Sequence, residues 1–274
     1  MNRADFFARI RQSCKSEQDY LIALIKARGF LVEIIDGKPC LSDNSCLHDE
    51  RYMDDARYLN RLLAESECGS LCGSEIVPSS DLNVAAFEDL FDARPPYGGE
   101  SWCNGYNWQY FQRREHAWKV GVAFLDSFIA RYIKAISACC IFTGGSCDGN
   151  HPGRSTMVID MSVIGSEIWH ELICKKYIIN RYNIEWNSRC TVVKFTERTK
   201  YETYYEVNCA ADFLYRNRQK FREIKRKALR DLSPSYFRHH SFEEIKDLFS
   251  ERVNRLFAAN PICEEREDVA GRRK

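Results

Sequence analysis

Between Phe213 and Leu232 the chain carries a pattern that an α-helix satisfies and a strand does not. Phe213, Leu214, Phe221, Ile224, Ala228 and Leu232 recur mainly at spacings of three, four and seven. At about 100° per residue they share one arc of the wheel, which must be buried against a core. The reverse arc is basic: eight of the seventeen residues 214–230 are Arg or Lys, and only Glu223 opposes them. Arg222, Arg226 and Arg230 stand nearest the outward centre, with Arg216 and Lys227 on one flank and Lys220 closer to the apolar edge. A helix over 210–231 is therefore expected, with one face committed to the core and the other to solvent or an anionic partner.

The formal net charge of +1 conceals this asymmetry. Residues 41–100 hold four basic and thirteen acidic residues, whereas 171–230 hold fifteen basic and seven acidic. A row of cations meeting phosphates releases counterions, so binding there would be sequence-tolerant and steep in salt. An acidic protein surface satisfies the same charge. Against both stands a plainer arrangement, in which long Arg and Lys side chains solvate the helix and cover its apolar flank, or pack on the acidic 41–100 block. Tyr201, Tyr204 and Tyr205, read as one strand of a hairpin, would offer stacking faces to unpaired bases or serve simply as strand formers.

Of the 274 residues, 45% are apolar, 29% charged and 13% aromatic, the composition of a globular chain with an aromatic and aliphatic core. An acidic helical lobe is expected over 1–93. A core lobe over 94–260 carries a long helix, a hairpin and the basic helix, and a flexible tail follows over 261–274. The N-terminal stretch interleaves charges with its few apolar residues and lacks the apolar run of a secretory leader. The most apolar stretch, 117–142, is interrupted by Lys119, Asp126, Arg131 and Lys134, so no membrane span is expected. The odd count of thirteen cysteines, with no Asn-x-Ser/Thr acceptor, points to reduced, intracellular thiols rather than a disulfide scaffold. Several, such as Cys139, Cys140 and Cys174, sit in apolar runs where cysteine acts as a small hydrophobe.

The coarse pattern is helix-rich α+β with a small antiparallel sheet or hairpins. Ser16 with Glu17 and Asp19 starts a helix over 17–28, and Asp36-Gly37 is the turn of a small hairpin. An amphipathic helix is expected over 47–66, a loop over 67–81, a short helix over 82–93 and a breaker-rich loop over 94–105. One long or broken helix is expected over 107–142, followed by a glycine-rich turn over 143–154 and a strand over 156–160. A helix over 166–182, strands over 184–196 and 201–208, and helices over 210–231 and 241–258 complete the reading.

Three constellations carry chemistry. Any four of Cys40, Cys46, His48, Cys68 and Cys72 have the ligand chemistry of a tetrahedral zinc site, although no C-x-x-C pair occurs and a helix separates the two clusters. Cys147 and His151 make a weaker pair, and His170-Glu171 matches half of a zinc-protease motif whose second His is replaced by Cys174. Cys103, between a glycine-rich loop and a helix, is the best-placed nucleophile, with His116, His151, His239 or His240 as base and Asp160 to orient it. Gly144-Gly145-Ser146 with Asp160 suggests a metal-dependent nucleotide or nucleic-acid enzyme, but the second carboxylate that two-metal chemistry requires is missing from the strand. The leading expectation is an intracellular binding protein that engages nucleic acid or an acidic protein surface through the basic helix.

Overall fold

Side-chain caps start the first two helices. Asn2 and Asp5 close a capping box on α1 (Arg3–Arg11), each side chain accepting from the other's backbone amide, an element the sequence pattern does not announce, and Ser16 accepts from the Asp19 amide at the head of α2 (Glu17–Ala27). The computed structural model describes residues 1–42, 49–97, 121–150, 157–160, 165–179, 182, 185–189, 192–196 and 199–262. Over these the chain is α+β, with helices around two four-stranded antiparallel sheets.

The first sheet has the order β1-β2-β4-β3, from β1 (Val32–Ile35), β2 (Lys38–Leu41), β3 (Gly69–Cys72) and β4 (Glu75–Pro78). Asp36 and Gly37 both take positive φ, 51° and 79°, the backbone of a tight hairpin turn. The β3–β4 hairpin occupies residues expected as a loop. Glycine explains the misreading: a Cβ on Gly69 would stand 2.2 Å from the Val77 carbonyl oxygen, so this strand requires a residue that ordinarily marks loops. The amphipathic helix is α3 (Asp49–Glu65), and α4 (Val84–Asp89) follows the sheet.

The long helix expected over 107–142 is, within the described residues, only α5 (Ala130–Ala138), preceded by a 3-10 turn at Val122–Phe124. Acceptors from elsewhere hold the intervening backbone open: Asp55 Oδ1 takes the Ala123 amide at 3.1 Å and Asp148 Oδ2 the Phe128 amide at 3.3 Å. The second sheet, ordered β5-β6-β8-β7, comprises β5 (Gly145–Cys147), β6 (Met157–Asp160), β7 (Glu185–Arg189) and β8 (Val192–Thr196). Between β6 and β7, α6 (Ser166–Ile173) runs into a π-helical turn at Cys174–Ile178.

The strand expected over 201–208 is instead the first half of α7 (Lys200–Arg216). Tyr204, Val207, Ala211 and Leu214 are buried at helical spacing, and that period overrides the strand propensity of the tyrosines. The expected helix over 210–231 is two helices, because α7 ends at Asn217 and α8 (Arg218–Ala228) begins there. After α9 (Pro234–His239), α10 (Phe242–Ala259) opens with a Ser241–Glu244 capping box.

One continuous apolar cluster joins residues from Phe6 to Ile262, across the boundary expected between the two lobes. Phe6, Phe91, Phe128 and Tyr201 meet in ring contacts that tie α1 to the head of α7. A second aromatic centre surrounds Trp169, which stacks on Phe257 at 6.0 Å and meets Phe221 edge-on at 6.3 Å. Its indole N–H donates to the Cys139 carbonyl at 2.8 Å. Through Trp169, α6 and α10 together fix the apolar face of α8.

Candidate nucleic-acid interface

The basic face is built on α8. Phe221, Ile224, Lys225 and Ala228 lie inward, so the wheel turns Arg226 and Arg230 outward. Arg216, Lys220, Arg226, Lys227 and Arg230 are exposed, and Arg222 is half-buried. Asn217 joins the two helices: its amide and its side chain both donate to the Phe213 carbonyl, at 3.1 and 2.9 Å, while its own carbonyl accepts from Phe221 at 3.1 Å. The far end is held by Arg252 of α10, which donates to the Ala228 and Arg230 carbonyls at 3.1 and 2.8 Å. A guanidinium there satisfies orphan carbonyls and complements the negative end of the helix dipole.

Seven of the eight cations of residues 214–230 fall into two sets. Arg218 pairs with Glu33 at 3.9 Å and covers the Tyr215 ring at 4.1 Å. Lys225 turns inward and donates Nζ to the Cys140 carbonyl at 2.7 Å, and burial pulls its pKa down to about 8. Lys227 pairs with Glu223 at 2.8 Å along the helix, which holds that carboxyl below its usual range with a longer-range contribution from Arg226. Arg216 reaches only the Asp212 carbonyl, at 3.4 Å. No described carboxylate forms an ion pair with Lys220, Arg226 or Arg230. Among the described residues of 41–100, no carboxylate pairs with these three.

The cysteines considered for zinc are spread over the first sheet. Cys40 on β2 and Cys72 on β3 each stand opposite Glu75 of the intervening β4, and Cys68 donates to the Asn83 carbonyl at 3.2 Å. They do not converge among the described residues; Cys46 and His48 lie outside them. A different trio does: one ligand atom each from Asp126, Cys147 and Asp148 lie within 4.8 Å of one another. Their hydrogen bonds belong to two loops holding each other. Asp148 accepts the Asn150 amide at 2.7 Å and the Phe128 amide at 3.3 Å, and Asp126 accepts the Asp148 amide at 3.3 Å.

Asp160 ends β6 opposite Gly145 and accepts the Gly144 amide through its backbone at 2.8 Å; it is not part of that trio. Cys103, His116 and His151 lie outside the described residues. His239 and His240 are exposed on and after α9, with His240 stacked on Tyr236 at 3.8 Å.

The His170–Cys174 pair is a core feature with a partner that no local spacing reveals. Tyr132, 38 residues upstream, places its hydroxyl 2.9 Å from His170 Nε2 and 3.5 Å from Cys174 Sγ. Burial lowers His170 to about 3 and raises Cys174 to about 12, so at neutral pH both are uncharged. A buried neutral thiol is a packing group rather than a nucleophile.

No protein-family model, no curated protein and no solved structure matches this chain. Among the described residues no helix is long and apolar enough to cross a membrane.

Proposed function

We propose that this protein is an intracellular binding module that engages a polyanion, either nucleic acid or an acidic protein surface, through the outward face of α8. The observation that carries this reading is the state of Lys220, Arg226 and Arg230. They are exposed, form no ion pair with a described carboxylate, and stand on α8 or, for Arg230, in the turn just after it; the other face of that helix is fixed by aromatic packing, and Glu223 is the acid that shares their face. Arg216, Arg222 and Lys227 extend the same face. The rigid helix fixes where these side chains start, so the ordering cost of binding an anion is confined to the side chains themselves. An intracellular setting accords with Cys40, Cys68, Cys139, Cys147 and Cys174, which are buried free thiols.

Replacing Lys220, Arg226 and Arg230 together by Glu is expected to weaken binding of labelled DNA about 100-fold at low salt. These side chains are exposed, so the thermal midpoint should stay near that of the unaltered protein. Equal DNA affinity for the two proteins in an anisotropy titration would remove α8 from the account. A reading through Cys103 chemistry predicts rapid alkylation at that thiol relative to the others, and DNA binding that is indifferent to the triple substitution.

A further inference from the structure

We propose that Arg252, on α10, is a positioning residue of the anion-binding face and acts through Arg230. The inference rests on the α8 reading above and brings a second helix into it. Lys220, Arg226 and Lys227 stand on α8 itself, where the i to i−4 backbone bonds fix each Cα. Arg230 has no such support. The helix ends at Ala228 with Leu229 as its cap, so Arg230 stands in the turn that leads to α9.

That turn is strained. Its Asp231 takes φ 68°, left-handed backbone that a residue with a Cβ adopts at a cost. Two backbone bonds close it, from the Arg230 amide to the Lys227 carbonyl and from the Leu232 amide to the Leu229 carbonyl, both at 3.2 Å. Each is an i to i−3 bond, poorer in geometry than a helical one and longer than the usual value of about 2.9 Å. A strained turn persists where its surroundings over-determine it. Here Arg252 supplies the constraint: one nitrogen, Nη1, donates to the Ala228 carbonyl at 3.1 Å and to the Arg230 carbonyl at 2.8 Å. It ties the end of the helix to the residue two places on, and so holds Arg230 in fixed relation to α8. Bonds from a charged donor are the stronger kind.

The start of the Arg252 side chain is fixed in turn. Phe249 and Val253, on either side of it along α10, are both 0% exposed. Phe249 meets Trp169 edge-on at 6.0 Å, and the same indole meets Phe221 of α8 at 6.3 Å, so one ring sets the relation of the two helices. The acid next to Arg252, Glu251, pairs with Arg255 along the helix. Without Arg252, Asp231 is free to leave the left-handed region, and Arg230 loses its fixed place at the end of the face.

The test follows the salt dependence of affinity for a labelled DNA duplex in the full chain, Arg230→Gln, Arg252→Gln and the double variant, with the thermal midpoint of each. Arg230→Gln should lower the slope of log K against log salt concentration by about 1, for one lost contact. Arg252→Gln should lower it by about 1 as well, and the double variant by about 1 rather than about 2, because both substitutions remove the same contact. Asp231→Gly accepts the left-handed backbone without strain, so adding it to Arg252→Gln should restore both the slope and any lost thermal midpoint. A fall of about 2 in the double variant would show Arg252 meeting the anion by itself and overturn the positioning role. A slope unaltered by Arg252→Gln, or a loss that Asp231→Gly does not relieve, overturns it equally, as does an unaltered slope in Arg230→Gln. All of these leave the α8 reading standing. Failure of the unaltered chain to bind the duplex at low salt overturns both.

Discussion

Replacing Asp55 by Ala is expected to destabilise the protein by about 3–5 kcal/mol, the cost of removing one partner from a buried ion pair. Asp55 on α3 faces Lys134 on α5 at 3.8 Å, with side-chain exposures of 0% and 2%. The same carboxylate accepts the Ala123 amide, so its removal also releases the turn that delivers the chain to α5. The ammonium of Lys134 would then sit in the core without the carboxylate that faces it. Adding Lys134→Met in the Asp55→Ala background should restore much of the loss, because an apolar pair of similar volume replaces buried ion pairs at little cost. Urea denaturation of the two single variants and the double variant gives the coupling directly. Additive effects would show that the pair contributes no coupling across α3 and α5.

The second large effect is a pH dependence at Lys225. Burial lowers its pKa from the usual 10.5 to about 8, so between these values the unfolded chain holds a proton that the folded protein has lost. Stability therefore rises with pH across that window on account of this group, and below about 8 the buried ammonium costs about 3 kcal/mol. Lys225→Met removes the charge but also the hydrogen bond from Nζ to the Cys140 carbonyl, which returns about 1–3 kcal/mol. The variant is thus expected to be about 1 kcal/mol more stable at pH 7, and less stable than the parent by pH 10. Other groups act in the opposite sense and cancel in the comparison. Cys174, raised to about 12 by burial, contributes stability that is complete below its unfolded value near 9 and lost as pH climbs toward 12. A stability difference between variant and parent that stays constant from pH 7 to pH 10 would refute the assignment.

The basic helix was legible in the sequence because its two faces obey one period. Phe221, Ile224 and Ala228 had to go in, and Arg226 and Arg230 had to go out, whatever packed against them. The division of the eight cations was not legible. That Lys225 is buried while Lys220 is exposed depends on where the chain just beyond α5 puts the Cys140 carbonyl, and Cys140 is distant in the chain. The break at Asn217 was hidden as well, because Phe213 and Phe221 keep the helical phase across it. Tyr201, Tyr204 and Tyr205 were misplaced for a general reason. Three tyrosines in five residues have strand propensity, and only the burial of Val207, Ala211 and Leu214 reveals the longer period. The β3–β4 hairpin reads as a loop because Gly69 and Gly73 carry turn chemistry inside and between its strands. Tyr132 with His170, and Asp126 with Asp148, are tertiary meetings to which no sequence spacing points.

The central claim is that the outward cations of α8 and of the turn after it engage a polyanion, and the salt dependence of affinity for a DNA duplex probe measures this most directly. Each cation engaged on a duplex contributes about 0.9 to the slope of log K against log salt concentration. Substitution of Arg226 by Gln should lower that slope by about 1, and the triple replacement of Lys220, Arg226 and Arg230 by Gln by about 3, with folding unchanged. A parent slope near zero, or one that none of these substitutions alters, would contradict the account.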